Sequence, residues 1–359
     1  MTQAKNTGDT MNVTFPNGKE LKKALSIIKK LKSGAAQIRA YDCFSEDGER
    51  VEIESWHQEA IICVKLDAAV AVPGCCGVKL KDLSDAVTNG EITITSTPET
   101  VTIAGAMISK VPVIAYEPAL FGGEPDDVIT LTDEDAKRIR LSIPFISKDE
   151  TRIDFTGALI RDGHVVATDG HRLRAAELSC SPKEGVIIPP LVCELVGAGT
   201  LSIYRKDAVC FESDRIVVLA STIDGRFPDF SKVIPKNPLV TGTLRVSDTL
   251  KAIKVLAKGY KAPQALLTAA PGADVFNVTV HESYTGKGPK KADCTGTIPL
   301  ARIDGYFSAS YNLIYWIDAL NGFEGQETVE FGFPDAASPS VLSKDGVSAV
   351  IMPMQWKGA

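Results

Sequence analysis

The sequence predicts an α+β fold in which three similar units follow one another, each with two helices packed against antiparallel sheets. Two observations lead to this fold class. Helix-like segments with apolar residues on one face recur along the chain, and matching segments begin roughly 110 to 120 residues apart, the length of one modest domain. Between them, apolar and polar residues alternate, as they do in half-buried antiparallel strands.

The six predicted helices fall two to a unit. They cover residues 18–31, 79–88, 133–143, 189–196, 247–258 and 311–320. Thr132 and Ser247 are predicted N-caps, because a short hydroxyl side chain can accept a bond from a free N–H group of the first turn. Pro189 suits the first turn of the fourth helix, and Asn321 and Gly322 suit the end of the sixth.

Strands and boundaries complete the predicted architecture. The clearest alternating segments are residues 91–95, 100–104, 201–204, 208–211 and 216–219. Polar, turn-rich stretches at 122–126 and 235–238 predict the boundaries between units. The predicted domains therefore cover residues 11–125, 126–240 and 241–359. Residues 1–10 are small and polar and are predicted to be disordered.

Composition narrows the class of protein. The 359 residues are 44% hydrophobic and 23% charged, which is typical of globular domains. No apolar run approaches the ~18 residues of a membrane span, and no leader peptide is evident, so a cytoplasmic protein without membrane contact is expected. The eight cysteines show neither CxxC nor zinc-ligand spacing and are predicted to be reduced thiols. No metal and no cofactor are expected.

Positive charge is concentrated on the first helix of each unit, although the chain carries a formal net charge of −6. The candidate phosphate contacts are Lys22, Lys23, Lys29, Lys137, Arg138, Lys148, Lys251 and Lys254. A solvated helix face would explain any one helix. Repetition in three units favours a shared anion, and duplex DNA is the obvious candidate. Contacts to phosphate would not depend on DNA sequence.

Three segments carry the functional signal. They are Val-Ala-Thr-Asp-Gly-His-Arg-Leu at 166–173, Ile-Asp-Gly-Arg-Phe-Pro-Asp-Phe at 223–230 and Val-Ile-Met-Pro-Met at 350–354. In this order and at these separations, they resemble the bacterial DNA polymerase III beta subunit, the beta sliding clamp family. The similarity is strongest over residues 149–238 and near the end of the chain.

The resemblance implies a non-enzymatic homodimer of the DNA-clamp fold, with three similar clamp domains per chain that close head to tail into a ring around duplex DNA. The implied partners are the DNA polymerase III alpha subunit, other DNA polymerases, a clamp loader and a second copy of the chain. In the family, polymerases, the clamp loader and repair proteins dock through a short linear peptide in an apolar groove between domains 2 and 3. The matching groove positions are Phe155, Thr168, Gly170, His171, Arg172, Leu173, Pro238, Asn312, Tyr315, Val350, Ile351, Met352, Pro353 and Met354.

The chemistry of these residues suits a docking groove. Leu173, Pro238 and the run 352–354 would supply an apolar pocket, because thioether side chains adapt to several ligands. His171 and Arg172 would form its polar rim. The chain departs from the family after Met354, where relatives often end with Arg and Leu, and this departure predicts a different rim.

The resemblance also implies how two copies join. The family pairs an edge strand of the first domain with one of the third, and these edges are predicted at residues 102–109 and 264–268. The predicted seam residues are Ile103, Met107, Val255 and Leu256.

Two alternatives remain open at this stage. In an enzyme, Asp169 and His171 would form an acid–base pair, with Asp224 or Asp229 as a third member. A turn whose side chains satisfy backbone groups explains the first two residues equally well. The second alternative is an interaction scaffold that keeps the clamp fold and the groove without ring loading, and the weak positive charge of the second helices motivates it.

Overall fold

The computed structural model describes residues 10–41, 50–57, 60–113, 123–204, 207–282 and 292–356. Disorder was predicted for residues 1–10. Residues 1–9 lie outside the described residues, and Thr10 is the first residue that the structure describes. No helix in the described part of the chain is long and apolar enough to cross a membrane.

All six predicted helices are present. The α-helices are α1 Gly18–Ile28, α2 Leu80–Ala86, α3 Asp133–Arg140, α4 Pro190–Leu195, α5 Val246–Ala257 and α6 Leu313–Asn321. Short 3-10 helices are Lys29–Leu31, Ile143–Phe145, Ile153–Phe155 and Phe230–Lys232.

One predicted cap is confirmed and one is wrong. Thr132 caps α3 in a reciprocal capping box with Asp135, whose carboxylate accepts from the Thr132 backbone N–H at 2.9 Å. Ser247 instead lies inside α5, which begins at Val246 without a side-chain cap. Its hydroxyl donates to the Asp248 carboxylate at 3.3 Å, so the side chain is engaged with its neighbour rather than with the helix end.

The start of the sixth helix also differs from the prediction. Tyr311 belongs to the preceding strand, and α6 begins at Leu313. Asn312 is the cap, because its side-chain oxygen accepts from the N–H of Ile314 at 2.9 Å.

The strands are short, and every sheet is antiparallel. In chain order they are β1 Met11–Phe15, β2 Ala35–Tyr41, β3 Arg50–His57, β4 Ala60–Asp67, β5 Ala69–Val72, β6 Gly74–Lys79, β7 Ile92–Ser96, β8 Thr100–Ala104, β9 Ile108–Pro112, β10 Asp127–Leu131, β11 Ala158–Arg161, β12 His164–Thr168, β13 Arg172–Glu177, β14 Val186–Ile188, β15 Gly199–Tyr204, β16 Ala208–Glu212, β17 Ile216–Ser221, β18 Val240–Arg245, β19 Pro263–Ala269, β20 Val275–Glu282, β21 Cys294–Pro299, β22 Arg302–Ile303, β23 Phe307–Asn312, β24 Thr328–Phe333, β25 Ser340–Lys344 and β26 Val347–Ile351.

The chain forms two compact units. Unit 1 comprises Met1–Leu131 and Leu195–Thr222, and unit 2 comprises Thr132–Glu194 and Ile223–Ala359. Unit 1 holds a five-stranded sheet, β5-β1-β7-β8-β9, and an eight-stranded sheet, β10-β15-β16-β17-β4-β3-β2-β6. Helix α1 packs against β3 and β4, and α2 packs against β2, β6, β8 and β9.

Unit 2 holds a nine-stranded sheet, β14-β11-β12-β13-β26-β25-β24-β18-β22, and a four-stranded sheet, β21-β20-β19-β23. Helix α6 contacts both sheets, and α5 packs against α6 and β21. An aromatic core in unit 2 is formed by residues of α6, β23 and β24. The rings of Phe307 and Phe333 are 4.4 Å apart, and Trp316 is fully buried. The division into three domains at residues 11–125, 126–240 and 241–359 stays a prediction.

The edge strand predicted at residues 264–268 is wrong. Strand β19 lies between β20 and β23, and Gln264 pairs with His281 on one side and Asn312 on the other. An alternating pattern shows which face a side chain occupies, but it does not show how many strands lie beside it. Among the described strands, β21 and β23 are the outer strands of this sheet.

The predicted seam residues differ in exposure. Ile103 in β8 has no exposed surface, because its side chain faces the core of unit 1. Met107 and Val255 are 68% and 73% exposed, respectively. Leu256 is half-buried, and a Cβ built on Gly296 would lie 2.7 Å from its Cδ2 atom. Only Met107 and Val255 are therefore well placed to meet another molecule.

Candidate functional site

The first predicted segment forms a tightly bonded turn between β12 and β13. The Thr168 hydroxyl donates to the Arg172 carbonyl at 2.7 Å and accepts from the Gly170 N–H at 3.0 Å. The Asp169 carboxylate accepts from the backbone N–H groups of His171 and Arg172 at 2.9 and 3.1 Å. Gly170 has a φ of +86°, a left-handed conformation that glycine adopts without strain. Side chains and backbone together hold the turn in one shape.

Arg172 is held on several sides. Its Nε donates to the Asp169 carboxylate at 3.0 Å, its Nη1 to the Asp318 carboxylate and its Nη2 to the Pro144 carbonyl. Its guanidinium carbon lies 4.4 Å from the centre of the Tyr315 ring. The side chain is only 10% exposed. Arg172 therefore shapes the predicted rim mainly by fixing the turn and Tyr315.

His171 is exposed in this turn, as is Gly170; the His171 side chain faces Tyr315. Its ring lies nearly parallel to that of Tyr315, with centroids 6.5 Å apart and planes 15° apart. Its carbonyl accepts from the N–H of Met352 at 2.9 Å, which ties the turn to the end of the chain. Tyr315 stands in the first turns of α6, the helix that Asn312 caps. These four predicted residues are thus brought together.

An apolar surface lies beside the turn. Its buried layer, here called the apolar floor, consists of Leu159, Val166, Leu173, Ala175, Ile187, Phe227, Val341 and Val350. Phe155, Ile223, Phe230 and Ile234 pack on this floor and are only partly buried. The Phe155 and Phe227 rings meet edge to face at 5.6 Å, and the Arg152 guanidinium carbon lies 4.3 Å above Phe155. Partly exposed apolar side chains over a rigid layer suit an apolar ligand.

Three surface residues were missed from the sequence, namely Ile223, Phe230 and Ile234. The first two lie in the 223–230 segment, which carries part of the family resemblance, but no site role was assigned there. Leu173, Val350 and Ile351 are 4%, 1% and 1% exposed. They belong to the interior of unit 2, where Leu173 and Val350 pack within the apolar floor.

The remaining apolar groove residues are Pro238 and the segment 352–354, which are half-buried or exposed. Pro238 is half-buried, and a Cβ built on Gly332 would lie 3.1 Å from its Cβ and Cγ atoms. Met352 and Pro353 are half-buried, and Met354 is 36% exposed. These side chains give the site flexible apolar edges.

Seven of the eight predicted phosphate contacts are exposed on the surfaces of their own units. These residues are Lys22, Lys23, Lys29, Lys137, Lys148, Lys251 and Lys254. Lys22 donates to Asn89 at 2.9 Å, and Lys23 forms an ion pair with Glu20 at 2.8 Å. Both contacts are solvent-exposed and therefore weak.

Arg138 is the exception among these cations. Its guanidinium donates to the carbonyls of Glu177 and Asp345 at 2.7 and 3.2 Å and to the Glu134 carboxylate at 3.1 Å. The predicted role of a free phosphate contact does not suit a side chain so occupied. Arg138 follows the buried Asp135 by three positions, which places both residues on one side of α3, and its guanidinium reaches the end of β13.

The arrangement does not favour acid–base chemistry. The Asp169 carboxylate is occupied by the turn and by Arg172, and the Asp229 carboxylate accepts from the N–H and hydroxyl of Ser231 at 3.1 and 2.7 Å. Nowhere in the described residues do three or more His, Cys, Asp or Glu side chains form a group that could hold a metal ion. The turn interpretation accounts for Asp169, whose carboxylate satisfies backbone N–H groups, and the His171 ring lies against Tyr315.

Comparisons with known proteins agree with this geometry. No family model matches the chain. The beta sliding clamp of Caulobacter vibrioides is 28% identical over 236 residues, which cover 58% of this chain and 60% of that protein. The beta sliding clamp of Rickettsia bellii is 25% identical over 265 residues, 65% of this chain and 69% of that protein. The chain thus matches 60% of the length of the Caulobacter relative in sequence.

The structural similarity extends further. The crystal structure of the Caulobacter crescentus beta sliding clamp matches 97% of this chain and 100% of that chain, with a TM-score of 0.79 and 22% identity. A sliding clamp from Bartonella birtlesii, solved bound to griselimycin, also covers 97% and 100%, with a TM-score of 0.80 and 18% identity. The predicted α+β clamp fold is confirmed: the chain has the fold of the bacterial DNA polymerase III beta sliding clamps, and it resembles them in sequence over more than half its length.

Proposed function

We propose that the chain is a sliding clamp. Two copies close into a ring around duplex DNA, and the ring tethers a DNA polymerase, including the alpha subunit of DNA polymerase III, to its template. The protein acts in the cytoplasm without a cofactor, a metal or a catalytic activity of its own, and a separate clamp loader opens the ring. The main support is the match of 97% of the chain to solved sliding clamps.

The seven exposed lysines would contact the DNA backbone. Contacts of this kind weaken as salt concentration rises and do not depend on base sequence, which suits a protein that slides. Their exposure supports this role, since each ammonium can approach a phosphate without breaking a buried contact.

Partners would dock at the surface formed by Phe155, Phe230, Pro238, Met352 and Met354. Two of the structurally similar clamps were solved bound to griselimycin. We expect the same compound to bind this surface. Because Leu173 lies in the apolar floor, Leu173→Ala would cost about 2–5 kcal/mol of stability and is a poor probe of docking. Met352→Ala with Met354→Ala removes the flexible edge and spares the floor.

Ring closure would use exposed residues of the predicted seam. Met107→Glu combined with Val255→Glu should convert the dimer into a monomer in sedimentation velocity experiments, because each change places a charge in an apolar contact. Lys81→Glu, exposed on α2 and outside the predicted seam, serves as a surface charge control. A double variant that sediments as a dimer would rule out this seam.

The deciding experiment measures retention on a nicked circular plasmid, loaded with a bacterial clamp loader and ATP, before and after one restriction cut. We expect retention on the circle that resists salt and is lost after linearisation, because phosphate contacts alone would ignore the cut. Equal retention on both forms would contradict a topological ring.

A second candidate function is a scaffold that keeps the docking surface without ring loading. It is supported by α4 and α6, neither of which contains Lys or Arg. The scaffold would be favoured if the chain binds griselimycin but is retained on neither form of the plasmid. The loader used must be shown to load its own clamp in the same assay.

A further inference from the structure

Residues 352–356, the last that the structure describes, lie across the four-stranded sheet of unit 2. We call residues 352–356 the C-terminal arm. It begins at Met352, whose N–H donates to the His171 carbonyl at 2.9 Å, and continues at Met354, whose N–H donates to the Ser310 carbonyl at 2.7 Å. Backbone hydrogen bonds therefore position both methionines of the docking surface: Met352 is bonded to the turn between β12 and β13, and Met354 is bonded to strand β23.

Gln264 holds the next residue of the arm. Alternation along β19 places Gln264, Leu266 and Thr268 on the face opposite the core residues Ala265 and Leu267. Leu266 and Thr268 are half-exposed, but Gln264 has no exposed surface. Its side-chain Nε2 donates to the Gln355 carbonyl at 2.6 Å and to the Ser310 hydroxyl at 3.0 Å. This amide thus joins the arm to two neighbouring strands.

Trp356 provides the last described anchor. Its ring meets that of His281 edge to face, with centroids 6.1 Å apart and planes 68° apart. His281 is itself held by a contact of 2.8 Å between its Nδ1 and the Asp293 carboxylate. Gln355 is held through its backbone carbonyl, whereas Trp356 is held through its side chain.

We propose that Gln264 is a positioning residue for the docking surface. Its amide holds the C-terminal arm on the sheet and thereby sets where Met352 and Met354 stand when a ligand docks. A buried amide suits this task, because a buried hydrogen bond has one geometry and its loss leaves the arm carbonyl without its partner. The inference rests on the proposed docking function of this surface.

The test compares Gln264→Leu, which keeps similar bulk without a donor, with Thr268→Val, which removes a polar group from the same face away from the arm. Griselimycin affinity is measured by calorimetry. We expect Gln264→Leu to weaken binding about tenfold, the loss that one buried hydrogen bond predicts, and Thr268→Val to leave it unchanged. Urea unfolding midpoints show whether each variant remains folded.

A second readout follows the arm without ligand. The readout is acrylamide quenching of Trp356 fluorescence. The Trp356 signal is the difference between each protein and the same protein carrying Trp356→Phe, because the chain has three tryptophans. Quenching should rise in Gln264→Leu and stay unchanged in Thr268→Val, which a general loss of stability would not produce. Trp356→Ala, at the surface, loosens the arm by an independent route and should also weaken griselimycin binding.

The outcomes are distinguishable. If Gln264→Leu and Trp356→Ala both bind griselimycin as tightly as the wild type, the positioning role is overturned and the docking surface is not affected. Wild-type protein that fails to bind griselimycin would overturn the docking surface, and the positioning role with it. Weaker binding together with a more accessible Trp356, at an unchanged unfolding midpoint, would support both.

Discussion

Gly170→Ala should destabilise unit 2 through two separate effects. The φ of +86° at this position is unfavourable for any residue with a Cβ, at a cost of about 1–2 kcal/mol. The new methyl group would also meet the Arg152 guanidinium, whose Nη2 lies 2.8 Å from the built Cβ. Arg152 would have to leave the Asp169 carbonyl, 3.3 Å away, and the Phe155 ring. That departure adds about 0.5–1 kcal/mol for a cation–π contact at an exposed site.

Gly163→Ala is the matched control. Gly163 also has a positive φ, +70°, but the nearest atom to its built Cβ is the Leu178 carbonyl oxygen at 3.9 Å. It should therefore show the backbone cost alone. In an Arg152→Ala background, the cost of Gly170→Ala should fall to that of Gly163→Ala, which makes the set a double-mutant cycle.

The assay is urea unfolding followed by tryptophan fluorescence in a Trp56→Phe, Trp356→Phe background, which leaves Trp316, fully buried in unit 2, as the single tryptophan of the sequence. Equal costs for the two glycine variants would refute the steric role of Arg152. A free energy of unfolding that does not change in Gly170→Ala would refute the account of the turn itself.

Three further predictions follow from caps, charge and burial. Thr132→Ala should lower the free energy of unfolding by about 1 kcal/mol, seen in urea titrations, because it removes the α3 cap. Burial raises the pKa of Asp135, but bonds from Ser179 and Thr132 outweigh it and hold the pKa below its usual value. The ionised Asp135 carboxylate therefore stabilises the fold fully above the unfolded pKa of about 3.9, and this contribution is lost as the pH falls through the folded pKa. In urea titrations, Asp135→Asn should have a lower free energy of unfolding than the wild type at pH 7 and should approach the wild type in acid. Burial raises the pKa of Cys63, Cys76 and Cys193 to about 12, so mass spectrometry should find these thiols unalkylated by iodoacetamide at pH 8 until urea is added.

The sequence predicted local features well where the signal was itself local. The Thr132 cap and all six helices depend on residues within a few positions of one another. The start of α6 was misplaced because Tyr311 has an apolar side chain that suits a helix face or a buried strand equally, and only pairing with Ala265 decides between them.

Errors about the site arose from distant contacts. Gln264 donates to Ser310 in strand β23, more than forty residues away along the chain, and no local sequence pattern indicates that partner. Arg138 has the same charge as its neighbours, but its acceptors are backbone carbonyls at Glu177 and Asp345, which composition does not reveal. The groove residues came from family resemblance, and the resemblance did not separate buried Leu173 from the exposed Met354.

The pairing of β13 with β26 has a mechanical consequence. The register runs from Arg172 opposite Ile351 to Ala176 opposite Val347, so the turn and the C-terminal arm leave the same end of two bonded strands. A tethered partner that pulls on both would load the strands side by side rather than peel one from the other. The force would spread across the nine-stranded sheet, and the residues proposed to hold a partner would keep their spacing under tension.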